Sequence, residues 1–519
     1  MARFGGLRGS KLHLAVWAEA WFGIMIFGFN QTSAGGVLAD VTFNKQFPRM
    51  DTLTTSGSLQ AYNAKIQGTV VAMYTLFGVF GALGCTFLGD KLGRRKTIFI
   101  ASIVQAIGAI LQASSFAFAQ FIIGRIFLGL GTAGMVATIS VWQSEVSKAE
   151  NRGEHVSAFG IFCSSGMVLA LFLAFGMGYT QPNSVSWRFP LIFTVLPSIL
   201  VCCGIFKLPE SPRWLSKQGR WEETREILGL LYDDDPHGDI VNKEVQDVQI
   251  SLERASKGKG NLGAMFKMGP QRTFHRVIIA AVAQIMLQMS GINAIVYYAP
   301  SIYENQLQFS GKISSVLAAS SQLALVIGSF CCAYTVDRFG RRKLMLFSAS
   351  AMSICFACIA GLTSNPDNKP ALKAAVFFVF LYCFVYVLGF LGIPFLYASE
   401  VAPTHLRASV CGLSTAISWL FNFLVAEVTP TAFTNLGWKY FLVFFCLNAA
   451  FVPIIYVFFP ETSQRSLEEI DQIFESSTSI FDSVSVAKKL PKLHLAEHLQ
   501  QEKEADVAVA EASHVEEVV

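Results

Sequence analysis

Twelve stretches of mostly apolar residues dominate this 519-residue sequence, at about 13–38, 67–89, 97–115, 119–144, 155–178, 188–207, 275–302, 312–336, 344–363, 371–398, 408–431 and 438–459. A helix rises about 1.5 Å per residue and the hydrocarbon core of a bilayer is about 30 Å thick, so roughly 20 apolar residues suffice to cross it. Backbone in lipid must satisfy its own hydrogen bonds, so each run is expected to be a helix. Composition supports this. Hydrophobic residues make up 53% and charged residues 15%, against about 25% charge in a soluble domain. Such a surface cannot wet a globule of this size, which excludes a soluble enzyme and a disordered chain. A net charge of +4 leaves no footprint for a polyanion, so no nucleic-acid partner is expected. The expected fold is an all-α membrane protein with twelve transmembrane helices.

Lysine and arginine set the orientation. With the N-terminus inside, the inner loops and the N-terminal tail hold fourteen, from Arg3 to Arg407, leaving out the middle loop and the C-terminal tail. The outer loops, together with the outer ends of the runs that adjoin them, hold eight over a longer stretch, from Lys45 to Lys439. Both termini are therefore expected in the cytoplasm, with the chain in the plasma membrane. The first run is too long for a removable signal and reads as an anchor. All eleven Cys fall inside the runs, which implies buried thiols and no disulfide framework.

A repeat is carried by the loops. Gly89-Asp90-Lys91-Leu92-Gly93-Arg94-Arg95-Lys96 follows the second run, and Val336-Asp337-Arg338-Phe339-Gly340-Arg341-Arg342-Lys343 follows the eighth. Glu145 with Arg152 follows the fourth run, and Glu400 with Arg407 follows the tenth. Pro209-Glu210-Ser211 follows the sixth, and Pro460-Glu461-Thr462 follows the twelfth. The offsets are 247, 255 and 251 residues. Three motifs in one order at nearly one offset imply two parallel six-helix halves, the architecture that rocks about a central site. The domain reading is a cytoplasmic tail (1–12), an N-terminal half (13–207), a helical cytoplasmic linker (208–274), a C-terminal half (275–459) and a partly disordered cytoplasmic tail (460–519). Positive-inside bias requires no acids. Asp90, Arg94, Glu145, Arg152, Glu210, Asp337, Arg341, Glu400, Arg407 and Glu461 are therefore expected to form a charge network that latches the halves on the cytoplasmic side.

At these loops, and at Pro209 to Leu215, Gln288-Met289-Ser290-Gly291-Ile292-Asn293 and Tyr297-Tyr298, the chain resembles the sugar porter family of the major facilitator superfamily. The length of its middle loop gives it a fungal hexose-transporter-like character. The resemblance implies transport of a monosaccharide by alternating access, with no enzymatic step and no cofactor or metal. The partners it implies are a small solute and the lipid bilayer; the sequence leaves the oligomeric state open.

Amides both donate and accept, so they suit a hydroxyl-rich solute. Gln284 and Gln288 share a helix face. Ser290-Gly291 interrupts that helix before Asn293 and Tyr298, and Phe395, Trp419 and Asn422 add aromatic and amide groups. These residues and Asn30 are the expected substrate contacts. The chain departs from the family pattern at Leu287, Gly160, Phe395, Ser418 and Leu325, which removes several hydrogen-bonding groups. Asn30 stands where proton-driven members carry Asp, and an amide cannot exchange a proton. Facilitative uniport is thus expected over proton symport. Two other readings use the same fold: import or export of another small metabolite (a polyol, a disaccharide or a fungal secondary metabolite), and a sugar sensor, which the short tail disfavours. Epitope tags at residues 1 and 519 are expected to react only after the membrane is permeabilised. A tag that reacts on intact cells would break the orientation.

Overall fold

The structure, a computed structural model, describes residues 7–147, 152–257, 262–269, 271–403, 406–465 and 467–491. Twelve helices have the length and hydropathy to cross a membrane: Gly9–Leu38, Gly57–Leu92, Arg94–Ala113, Phe118–Glu145, Ala158–Gly178, Val185–Lys207, Thr273–Gln306, Gly311–Phe339, Arg341–Thr363, Lys369–Val401, Ser409–Leu436 and Lys439–Phe458, here spans 1 to 12. Among the described residues there is no strand. Most boundaries lie within a few residues of the apolar runs. Span 2 starts ten residues earlier, at Gly57 rather than 67. Its polar first turns are tied down by side chains: Asn63 donates to the carbonyls of Pro48 and Asp51 at 3.1 and 2.8 Å, and Gln67 to that of Met50 at 3.1 Å. Hydropathy registers the lipid-facing stretch and misses a helix continuing beyond it.

Within the first six spans, span 4 packs on spans 2 and 3, and span 1 on span 5; in the last six, span 9 packs on spans 10 and 12. Two seams join the halves, span 2 against span 11 and span 5 against span 8. The eleven cysteines are all free. Span 2 passes to span 3 through Gly93 and span 8 to span 9 through Gly340, at φ +90° and +89°. One left-handed residue ends one helix and opens the next, a conformation that penalises any Cβ. A Cβ on Gly340 would also lie 2.5 Å from the Glu461 carboxylate.

Glu19 and Glu427 sit near span ends, where acids reach for water or a hydrogen bond. Glu427 does so: it is half-buried and accepts from Thr69 Oγ1 at 2.7 Å. Glu19 is instead buried, in space left by Gly204 of span 6.

Between the halves run the short helices Pro212–Lys217, Trp221–Tyr232 and Asp239–Lys257. Trp221–Tyr232 buries Ile227, Leu228 and Leu231, and His13 of span 1 bonds the Leu231 carbonyl at 3.1 Å. After span 12, Leu467–Ser476 packs on the end of span 10 and meets side chains at the start of span 7. There Arg276, fully buried, pairs with Asp471, donates to the Val401 carbonyl at 2.5 Å and lies 4.8 Å over the Phe474 ring. Removing one partner of a buried pair strands the other charge and costs about 3–5 kcal/mol. Asp471→Ala is therefore expected to lower the melting temperature of the detergent-solubilised protein, and Arg276→Met with Asp471→Leu to restore most of it. An unchanged melting temperature for Asp471→Ala would remove this clamp from the account of stability.

Candidate functional site

The site is organised by a break in span 7. Its helix stops at Met289 and restarts at Ile292. Gly291 sits at φ +105°, where a Cβ would come within 2.7 Å of the Phe356 ring. An interrupted helix leaves backbone carbonyls that lipid cannot satisfy. Here the Ser290 carbonyl accepts from the Tyr382 hydroxyl at 3.2 Å and from Asn448 Nδ2 at 2.9 Å, from spans 10 and 12.

The restart places Asn293 beside the preceding turn, and a row of amides follows. Gln31 Nε2 donates to Asn293 Oδ1 at 3.0 Å, Asn293 Nδ2 to Gln288 Oε1 at 2.5 Å, and Gln288 Nε2 to Ser418 Oγ at 2.7 Å. The row thus runs from span 1 across span 7 to span 11 and joins the two halves. The Tyr297 hydroxyl donates to Asn422 Oδ1 at 3.1 Å, and that of Tyr298 to the Ala426 carbonyl at 2.9 Å. Gln284, one turn before Gln288, is fully buried, and neither of its amide atoms has a hydrogen-bond partner. An unsatisfied buried amide carries a penalty of about 1–3 kcal/mol.

Aromatic rings border the row. Trp419 packs on Phe27 at 5.7 Å and Tyr74 at 6.0 Å, and Phe395 on Phe159 at 5.9 Å, all across the two halves. The structure thus brings Gln288 and Asn293 into one row, with Gln284 one turn before it and Trp419 next to its last member; it ties Asn422 to Tyr297 and Tyr298 to span 11, and sets Phe395 against Phe159 rather than on the row. Asn30 is not in the row. Its Nδ2 donates to Thr132 Oγ1 at 3.1 Å inside the N-terminal half, and its neighbour Gln31 reaches Asn293 instead. Gln31, Phe27 and Phe159 escaped the sequence reading because nothing in an apolar run marks which face meets the other half. Arg125 of span 4 is buried without a carboxylate. It donates to the Val70 and Val71 carbonyls at 3.4 and 2.8 Å and lies 5.1 Å over the Tyr74 ring.

On the face carrying the basic loops, the charged motifs form two matching knots. In the first, Arg94 bonds Glu145 at 2.8 and 3.0 Å and Asp90 at 3.3 Å, and Lys217 bonds Asp90 at 2.8 Å. Glu210 accepts the backbone N–H groups of Arg94 and Arg95 at 3.0 and 3.2 Å. Burial pushes the Glu210 carboxyl up from its ordinary value, and the N–H donors of Ser211, Arg95 and Arg94 pull it back. In the second knot, Arg341 bonds Asp337 at 2.8 Å and Glu400 at 3.1 Å, and Glu461 accepts its backbone N–H at 2.9 Å.

Glu400 is thus engaged by Arg341 and by the Thr462 hydroxyl, rather than by Arg407. Arg407 keeps Nε and Nη2 buried without partners. Burial pulls its guanidinium down from the ordinary value, and the charges of Arg213 and Arg276 add to that, against Cys411 and Asp471. The side chain of Arg152 lies outside the described residues. The first knot closes between the N-terminal half and the linker residues Glu210 and Lys217, and the second between the C-terminal half and the residues just after span 12. Toward the opposite face the halves touch. A Cβ on Gly35 would lie 2.4 Å from the Tyr297 carbonyl, and Thr69 bonds Glu427.

A family model described as "Sugar (and other) transporter" matches residues 17–474. The chain belongs to the sugar porter family of the major facilitator superfamily. It is 35% identical to the sugar transporter STL1 of Saccharomyces cerevisiae over 95% of this chain and 86% of that protein. It is 30% identical to the high-affinity glucose transporter 1 of Candida albicans over 95% and 92%. Its fold matches the xylose transporter XylE from E. coli at a TM-score of 0.73 and 20% identity, over 88% of this chain and all of that one. It is therefore a sugar transporter and not an enzyme. Against the family pattern, Leu287 and Leu325 are both buried, Leu325 within the apolar core. At Gly160 a Cβ would meet Ser329 Oγ of the other half at 3.2 Å.

Gln288 holds both neighbours in the row, whereas Asn30 bonds within its own half. Gln288→Ala is therefore expected to lower initial solute uptake at least about tenfold at equal surface expression, the loss of roughly 1.4 kcal/mol or more. Asn30→Ala is expected to change it less than about threefold. The reverse order would mean that the row does not hold the solute.

Proposed function

We propose that this sugar porter carries a monosaccharide across the plasma membrane by alternating access, as a facilitative uniporter. The carrying observation is the amide row through Gln31, Asn293, Gln288 and Ser418, with the unpartnered Gln284 amide one turn away from Gln288. Its members are uncharged, so it suits a neutral solute, and each can trade a protein partner for a hydroxyl. Its two ends belong to different halves, so a rocking motion must break it.

The two six-span halves would turn about this row. As they turn, Arg407, left here with unpartnered donors, gains the acids of the facing half, and the charged loops become the latch.

The uniport reading rests on chemistry at spans 1 and 4. Asn30 cannot carry a proton, and Arg125 is held by backbone carbonyls and a ring rather than by a carboxylate. No titratable pair sits there to couple protons to the solute. The test is uptake of labelled hexoses, pentoses, disaccharides and polyols in a transport-null yeast, with and without a protonophore. The expected result is hexose uptake whose initial rate the protonophore leaves unchanged. Loss of uptake on collapsing the gradient, or an alkaline pulse on adding solute, would replace uniport with symport.

A further inference from the structure

The last helix of the described residues, Ser483–Lys489, folds back on the basic face and packs on span 12 and on Leu467–Ser476. Arg465 pins its end, donating to the Ala487, Leu490 and Pro491 carbonyls at 2.6, 2.9 and 3.3 Å. Ser483, Val484 and Ala487 are buried, while Lys488 and Lys489 are exposed.

Neighbouring contacts put the start of this helix at the membrane boundary. Arg342 donates to the Tyr456 carbonyl of span 12 at 2.8 Å and lies 5.2 Å over the ring of that residue, itself 60% exposed. In the N-terminal half Arg95 does the same at the end of span 6, bonding the Ile205 carbonyl at 3.1 Å and lying 5.4 Å over the exposed Phe206 ring. A cation held over a lipid-facing ring marks the level where hydrocarbon gives way to headgroups. Tyr456 and Phe458 are separated along span 12 by a rise of about 3 Å, and the Phe481 ring packs 5.3 Å from that of Phe458. Phe481 still keeps 57% of its surface exposed. It stands at headgroup level beside span 12 with a bare apolar face.

Charge accompanies the ring. Lys488 and Lys489 close the helix, and among the described residues no carboxylate pairs with either. Asp482, the acid beside Phe481, is taken by the Thr478 hydroxyl and the Ser479 N–H at 2.6 and 3.1 Å. An apolar side chain with uncompensated lysines nearby fits a surface that offers acyl chains and negative headgroups together. A soluble acidic protein would meet the lysines alone, because the bilayer occupies the side that the ring faces.

We propose that Phe481, Lys488 and Lys489 form a docking site for an acidic phospholipid, which fastens the tail to the bilayer. The helix they belong to packs on Leu467–Ser476, the carrier of Asp471, so lipid bound here stabilises the clamp on Arg276.

The test uses the full chain in neutral detergent. Its melting temperature is followed as phosphatidylserine, phosphatidylcholine or the soluble headgroup glycerophosphoserine is added. Phosphatidylserine is expected to raise it, and the other two to leave it unchanged. A lysine near an anionic surface is worth about fivefold in affinity. Lys488→Gln with Lys489→Gln should therefore raise the half-saturating phosphatidylserine concentration about tenfold or more. Phe481→Ser should raise it about threefold, and Phe481→Leu should keep it. The proposal is overturned if the two lipids act alike, if the lysine variant responds as the parent does, or if glycerophosphoserine alone reproduces the shift.

Discussion

A broken helix in the middle of a membrane survives only when other groups take over the backbone hydrogen bonds it loses. The rest of this site depends on that requirement being met at Ser290-Gly291. Tyr382 and Asn448, from two other spans, bond the free carbonyl, and a left-handed glycine turns the chain without a Cβ against Phe356. The restart then brings Asn293 within 2.5 Å of Gln288. A continuous helix would place these two residues, five apart, on different faces. The gap therefore does more than loosen the span; it assembles the amides.

The amides contribute in two ways. They link spans 1, 7 and 11, which keeps these buried polar groups satisfied. Each can also be released to a hydroxyl at little net cost, because one hydrogen bond replaces another. The charged knots work on a different scale. Arg94 with Glu145 and Arg341 with Glu400 brace the loop ends of each half as a unit, and Glu210 and Glu461 cap the following helices from below through their backbone N–H groups. The sequence repeat is therefore a repeat of two rigid braces. Small residues at the seams, such as Gly35 against the Tyr297 carbonyl, let the two units approach closely.

The apolar runs determined the number of spans and placed most of their ends, because burial in lipid is read residue by residue and needs no partner to be known. The loop motifs determined the repeat and marked most of the charges in the two knots, since their spacing survives in the chain. The start of span 2 at Gly57 was decided by side chains reaching back to the preceding loop. The pairings within the charged set were decided by the fold: Glu400 goes to Arg341, Lys217 joins Asp90, and Arg407 stays outside both knots. Asn30 and Gln31 are adjacent and chemically alike, yet one faces Thr132 and the other Asn293. Neighbouring helical residues point about 100° apart, and only the packing of span 1 against spans 4 and 7 fixes which of them meets the opposite half. The ring contacts of Phe27 and Phe159 across the halves were hidden for the same reason: a chain with 45 Phe does not reveal which of them meet the other half and which face lipid until the two halves are set against each other.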